Sequence, residues 1–423
     1  MQAPLAAPDR VAVRAMVSLL LLAAFFPYVE LVPLGTDTQP YALIIAAVLT
    51  GASVHKRVRR ELVVLFFPFG VSLLMLITDG ATYTGLRSVS NYASIAVIPY
   101  AVSLGMRADR DLFATMLRVA VYGWLAAACL QIAFGPDVLV PLLPSVRTSG
   151  ARGVTSLAPE PTHYGMQCLF MLLLVVMEFR GARRVWLAAL LIAQVLLFAR
   201  SAMAGLFLVI LVGLYLLTYI NSPRRILFIA LLIGGTLGGL IVVARTGLFQ
   251  LQSSRLFSLG TAVLRHPTYL FLVDASGNQR FSNILFSVYG FLQSGMVPHG
   301  FGTFADYVST VAPRFQEIIA HPGGEDRIMS GYGAALFELG VVGAVIPAAI
   351  TVAMWRFYRA EPAQFILYVV MLHLMLLTAI PLANPIIGVI IGYAASERYA
   401  THELRQTRPR TETGEEAVGT RGN

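Results

Sequence analysis

VWLAALLIAQVLLFARSAMAGLFLVILVGLYLLTYI, Val185 to Ile220, holds a single charged residue, Arg200. The run from Val185 to Ala199 and the run from Ala202 to Ile220 are apolar nearly throughout, and only Arg200-Ser201 separates them. Such runs satisfy their backbone polar groups as helices and their side chains in hydrocarbon, so the stretch reads as two membrane helices joined by a tight turn. The rest of the 423-residue chain agrees: 57% is apolar and 13% charged, with mean hydropathy +0.73. A soluble protein of this length needs about a quarter of its residues charged to cover its surface. Water-soluble, disordered and fibrous classes are thereby excluded. The expected class is an all-α integral membrane protein.

Apolar runs bounded by charge or turn residues give about twelve candidate spans. They lie near 12–33, 40–54, 61–78, 88–106, 111–134, 164–179, 185–199, 202–220, 225–244, 332–354, 363–381 and 384–396. Arg10 and Arg14 precede the first like the basic start of a signal peptide, but no small-residue cleavage site follows, so an uncleaved helix is expected. The net charge of +9 comes almost entirely from arginine, with Lys56 the one lysine. Basic short loops resist translocation. An N-terminus in the cytoplasm puts His55 to Arg60, Arg107/Arg110, Arg180/Arg183/Arg184, Arg224/Arg225 and Arg356/Arg359 all inside. A membrane reading therefore accounts for the basic charge, and no nucleic-acid partner is expected. Residues 1–396 form one polytopic domain, and 397–423 is expected to be a disordered cytoplasmic tail. Cys129 and Cys168 both fall in apolar runs and are expected to be core residues.

The opposite, extracytoplasmic face receives a segment from Gly135 to His163, the Arg200-Ser201 turn, and a long loop, 245–331. Structureless connections of that length are uncommon and usually functional. Within the loop Phe281, Ile284, Leu285, Val288, Phe291, Leu292 and Met296 recur at helical spacing, with Ser282, Asn283, Ser287 and Gln293 opposite. Two readings stay open: an amphipathic helix lying in the interface, or one packed on other loop elements.

Arginines mark this face. Arg200 sits on two helix ends at the membrane edge, where a guanidinium either meets a specific lipid phosphate or snorkels to ordinary headgroups. Arg280 directly precedes the amphipathic helix, and Arg147 and Arg152 flank Thr148-Ser149-Gly150. Guanidinium groups bind phosphate oxygens through forked hydrogen bonds, so converging arginines can hold a pyrophosphate without a metal. No acidic cluster with magnesium or calcium spacing is present in the sequence, and neither metal nor cofactor is expected. Glu160 lies between Pro159 and Pro161 just before a membrane helix, with Thr162 a possible cap. A helix N-terminus favours the ionised carboxylate that a general base requires; a salt bridge to a nearby arginine is the alternative role. His163, His299 and His321 are further possible bases or donors. Glu338 lies two turns inside a span and needs a partner, for which an arginine such as Arg200 is expected. His373, in mid-span, is expected to be a hydrogen-bonded interior residue.

Three stretches carry a family resemblance. Ala158-Pro159-Glu160-Pro161-Thr162 is similar to the Glu-Pro-Ser type motif of polysaccharide polymerases. Phe198-Ala199-Arg200-Ser201-Ala202-Met203-Ala204-Gly205 is similar to a Ser-Arg-Ser-Gly type turn. The long loop places Arg280 before a helix, then Pro298-His299-Gly300-Phe301-Gly302 and Phe337-Glu338-Leu339-Gly340. Together they resemble the O-antigen polymerase and O-antigen ligase superfamily, Wzy-like and WaaL-like membrane glycosyltransferases. The resemblance covers about residues 150–350. It implies a GT-C-like architecture in the bacterial inner membrane. The implied reaction is metal-independent, inverting transfer of a glycan from undecaprenyl pyrophosphate to a lipid-linked repeat unit on the periplasmic face. A chain-length regulator and a flippase would be neighbours. Glu160 would serve as base, while Arg200 and Arg280, helped by Arg147 and Arg152, would hold the departing pyrophosphate. Ligases of the family usually carry a His, often His-Asn, where this chain has Ile328-Met329-Ser330-Gly331. That favours polymerase over ligase. A flippase or transporter is the alternative from another class.

Overall fold

The structure, a computed structural model, describes residues 7–32, 36, 38–52, 60–143, 146–147, 153–219, 275–319, 322, 327–359, 361–378 and 380–407. Every regular element among them is a helix. In chain order these are α1 (Ala7–Phe25), α2 (Tyr41–Gly51), α3 (Arg60–Val63), α4 (Phe66–Asp79), α5 (Tyr83–Ala108), α6 (Arg110–Phe134), α7 (Pro161–Glu178), α8 (Gly181–Ala193) and α9 (Ala202–Tyr219). There follow α10 (Ala275–Gln293), α11 (Phe304–Val311), α12 (Gly331–Leu339), α13 (Val345–Tyr358), α14 (Pro362–Thr378) and α15 (Pro385–Thr407).

Among the described residues, four helical stretches are long and apolar enough to cross a membrane: Tyr83–Met106, Arg110–Phe134, Gly181–Ala199 and Gly331–Tyr358. Six more, Val11–Phe25, Tyr41–Gly51, Phe66–Asp79, Ala202–Leu217, Pro362–Thr378 and Pro385–Ser396, are apolar but shorter. The span expected at 225–244 lies outside the described residues, as does the loop up to 274. α15 runs on to Thr407, past the boundary at 396 and into the segment expected to be a disordered tail. Cys168 is buried, but Cys129 is exposed on α6, because that run turns one face outward.

Packing in the bundle is set by small residues and one tryptophan. α15 lies along α5 through Gly388 and Gly392, a small-x-x-x-small pair. A Cβ on Gly392 would stand 2.5 Å from the Pro99 carbonyl oxygen, and one on Gly388 would stand 2.7 Å from the Ile98 side chain. Fully buried Trp124 of α6 stacks on Tyr164 of α7 at 5.5 Å and on Phe26 at 6.0 Å, and its indole N–H donates to the Phe25 carbonyl. The ends of the bundle differ. At one end Arg14 meets Asp109 at 3.1 Å, and Glu178 accepts hydrogen bonds from Tyr393 at 2.7 Å and Arg110 at 3.4 Å. The other end carries the N-termini of α5 and α7.

α10 packs on α11, an element of the same loop, and on α12 and α14, and it corrects the position of Arg280. The helix begins at Ala275, so Arg280 lies within it, buried, where the sequence places Arg280 ahead of it. Part of its polar stripe is buried along with Phe286: Ser282, Asn283 and Ser287 are enclosed while Gln293 is exposed, and the Asn283 carboxamide accepts from the Met329 amide and donates to the Gln279 carbonyl. The apolar residue Leu292 is exposed as well.

Candidate functional site

The Glu160 carboxylate is positioned by a loop plugged into the bundle. Ser156 takes a left-handed conformation (φ 52°), its amide donates to the Gln131 side chain at 2.6 Å, and its hydroxyl donates to the Trp124 carbonyl at 2.7 Å. Gln131 in turn donates to the Thr155 hydroxyl at 2.9 Å. Gly153 and Val154 pack against Phe198 and Ala199, with the Val154 amide donating to the Phe198 carbonyl; a Cβ on Gly153 would lie 2.1 Å from that oxygen. The loop thus ties the start of α7 to the turn between α8 and α9.

Glu160 is the N-cap residue of α7 with Pro161 in the first helical position, so Thr162 is not the cap expected of it. Thr162 instead accepts a hydrogen bond from Ser201 at 3.3 Å. The Glu160 side chain makes no capping bond; one oxygen lies 3.1 Å from the Arg147 guanidinium and the other 4.0 Å from His163 Nδ1. The Arg147 amide also donates to the Pro159 carbonyl at 2.8 Å. Arg147, Glu160 and His163 therefore form one cluster, and the contact Glu160 makes in it is the salt bridge to a nearby arginine. With the arginine side chain 49% and the carboxylate 20% exposed, the pair contributes about 1 kcal/mol or less to stability.

Arg200 closes a π-helical turn, Gln194–Ala199, and sits in the left-handed region at φ 46°. A non-glycine residue there costs about 1–2 kcal/mol. Its amide donates to the Val195 carbonyl and its Nε to the Leu197 carbonyl at 3.0 Å, which leaves an exposed guanidinium on the rim next to the Glu160 loop. The buried end of the π-turn is held by Gln194, which accepts from the Tyr164 hydroxyl at 2.9 Å.

Glu338 does not meet Arg200. It accepts hydrogen bonds from Tyr92 at 2.7 Å and Ser88 at 3.0 Å, both on α5. It lines a cavity of about 400 Å³ between α12 and the starts of α2, α5 and α15, together with Arg87, Arg327, Gln39 and Asn91. The lining follows α5 from Tyr83 to Ile98, roughly 22 Å at 1.5 Å per residue. Sequence reading missed Arg87 and Gln39. The available signal was depth: Glu338 and Arg87 flank the same end of their spans, so Arg87 was the cation best placed to share its surroundings.

The remaining expected residues sit elsewhere or outside the described chain. Arg280 is on α10, which packs on α11, α12 and α14, so it belongs to a different part of the bundle from the Arg147 cluster. His299 stacks on Phe337 at 4.3 Å, and its Nε2 bonds the Gly290 carbonyl at 3.0 Å, which fixes the ring away from the Arg147 cluster. Beside it Tyr307 donates to Gln293 at 2.9 Å; burial, reinforced by Tyr289 and opposed by Arg314, pushes its hydroxyl up to about 12. His373 is hydrogen-bonded through both ring nitrogens, to Tyr332 and Thr351, as an interior residue should be. Arg152 and His321 lie outside the described residues.

A thin wall separates the Arg147 cluster from the cavity. Tyr28 packs its ring 5.6 Å from that of His163 and accepts from Asn384 at 3.2 Å, while the Gln39 amide donates to the Pro27 carbonyl at 2.7 Å. One end of the bundle thus offers a rigid carboxylate, an exposed arginine on a strained turn, and a deep polar cavity with two more arginines. No protein-family model matches this chain, and no curated protein matches it either.

Proposed function

We propose that this chain is a polysaccharide polymerase of the O-antigen polymerase and ligase type. It would act on undecaprenyl-pyrophosphate-linked oligosaccharides at the periplasmic face of the bacterial inner membrane. The observation that carries the reading is the Arg147–Glu160–His163 cluster beside Arg200 at the end of a membrane bundle. A transferase using lipid diphosphates needs a fixed base and permanent cations at the headgroup level, with its barrier lowered by charge stabilisation and positioning. In the reaction a hydroxyl oxygen of one repeat unit attacks the anomeric carbon of the other. The carbon–oxygen bond to the diphosphate breaks, and its electron pair leaves on the diphosphate, held by Arg200. The hydroxyl proton passes to Glu160. A single displacement inverts the anomeric centre. The resemblance to the polymerases also supports about twelve spans, a large periplasmic loop and cytoplasmic termini.

Purified protein given lipid-linked repeat units in the presence of chelator tests the reading. A ladder on a gel supports it, a single transfer to lipid A core makes the protein a ligase, and no transfer overturns both. One observation favours a second reading: the cavity reaches the middle of α5 with charged lining, as a flippase or transporter would require. Under that reading, inactivation leaves lipid-linked units on the cytoplasmic side; under the first, they accumulate outside.

A further inference from the structure

The cavity between α2, α5, α12 and α15 is separate from the Arg147 cluster and has its own chemistry. Two arginines line it, Arg87 of α5 and Arg327 in the segment before α12. Its carboxylate, Glu338, already accepts from Ser88 and Tyr92. Gln39 is 3% exposed; its Nε2 donates to the Thr36 carbonyl at 2.7 Å, but its Oε1 has no hydrogen-bond partner. A buried acceptor left unsatisfied costs about 1–3 kcal/mol, so its presence on a cavity wall marks a place where a ligand donor belongs. A bare phosphate at neutral pH brings mainly acceptors and suits only the arginines. A ligand that suits all of these groups offers phosphate oxygens to the arginines and a hydroxyl or amide N–H to Gln39. At about 400 Å³ the space falls in the usual range for small-molecule sites, roughly 300–1,000 Å³.

We propose that this cavity binds a glycosyl phosphate headgroup, with Arg87 and Arg327 on the phosphate and Gln39 Oε1 accepting from a sugar hydroxyl or acetamido N–H. The proposal rests on the transferase reading only for the lipid carrier and for the role of the site. There it supplies a second substrate position, divided from the Glu160 cluster by Tyr28, Asn384 and Gln39. A polymerase that joins two lipid-linked units needs two such positions.

The test is equilibrium binding to the full chain in phosphatidylcholine nanodiscs. The probes are farnesyl-diphosphate-linked N-acetylglucosamine, N-acetylglucosamine 1-phosphate and farnesyl diphosphate. Arg87→Gln and Arg327→Gln should each weaken all three by about tenfold or more, as expected for lost charge-assisted bonds, and Arg87→Lys should restore part of the affinity. Gln39→Leu should weaken the two sugar-bearing probes by roughly two- to tenfold and leave farnesyl diphosphate unchanged. Binding of the lipid-linked probe alone assigns the site to a membrane substrate, and equal binding of the sugar phosphate assigns it to a soluble one. Absence of binding, equal loss of all three probes in Gln39→Leu, or no response to either arginine variant overturns the proposal. A polymer assay on the unaltered protein separates it from the transferase reading: binding here without any polymer refutes only the latter. A polymer ladder with binding insensitive to the cavity variants refutes only the former.

Discussion

Arg200 carries a cost in the backbone that its side chain must justify. Glycine at this position removes the Cβ that strains φ 46°, and the hydrogen bonds of the turn's amide remain. Arg200→Gly should therefore leave the detergent melting temperature unchanged or slightly higher, since relief of about 1–2 kcal/mol of strain offsets the added freedom of the unfolded chain. Polymer synthesis should nevertheless fall by about 100-fold or more, the usual loss when a donor to developing charge is removed. A variant that keeps full activity would reduce this arginine to a headgroup anchor. Glu338 makes the converse case. Tyr92→Phe removes the shorter of its two hydrogen bonds in a buried site and should lower stability by about 1–3 kcal/mol, read as a drop in melting temperature. Of the residues singled out in the sequence, Glu160 and Arg200 were legible because prolines and a two-residue turn fix the backbone locally. The partner of Glu338 was not, since it depends on which helix lies alongside, and that helix proved to be α5.

At the scale of elements, glycines decide how closely the helices approach. A side chain at Gly392 meets the α5 backbone itself, which cannot move aside as a side chain can. Gly392→Leu should push α15 away from α5 and destabilise by more than the about 1–3 kcal/mol typical of overpacking, with loss of monodisperse protein on size exclusion as the measurement. Gly165→Val is a milder case: its Cβ would meet the Ala204 methyl at 2.5 Å, between the Glu160 helix and the helix that follows Arg200. It should lower activity and melting temperature together, because it separates the two halves of the Arg147–Arg200 rim. The spans of α5 and α6 were legible from hydropathy alone. α10 was legible as a helix, yet its orientation was not, because a sequence period shows two faces without saying which solvent each one meets.

For the whole molecule, the distribution of charge makes a prediction about orientation. Tyr83 lies at the end that carries the candidate site and Ala182 at the end that carries the Arg110–Glu178–Tyr393 cluster, and both are exposed. In a background carrying Cys129→Ser and Cys168→Ala, Tyr83→Cys should react with a membrane-impermeant maleimide in intact cells. Ala182→Cys should react only after the cells are opened. The reverse pattern would place the Glu160 cluster in the cytoplasm and remove the basis for a periplasmic polymerase.

Composition alone pointed to an all-helical chain with stretches apolar enough to cross a membrane, because hydrocarbon admits few alternatives for a run as apolar as Val185 to Ile220. Local motifs determined where a carboxylate and an arginine would be held rigidly at a helix end. Only the tertiary structure decided that Arg147 joins Glu160 while Arg280 is buried on another helix, and that α12 and the starts of α2, α5 and α15 enclose the Gln39–Arg87–Arg327–Glu338 cavity. Those outcomes depend on contacts between residues far apart in the chain, such as Ser88 with Glu338 and Tyr28 with Asn384. Hydropathy and spacing describe each helix singly, whereas these contacts depend on which helices lie side by side.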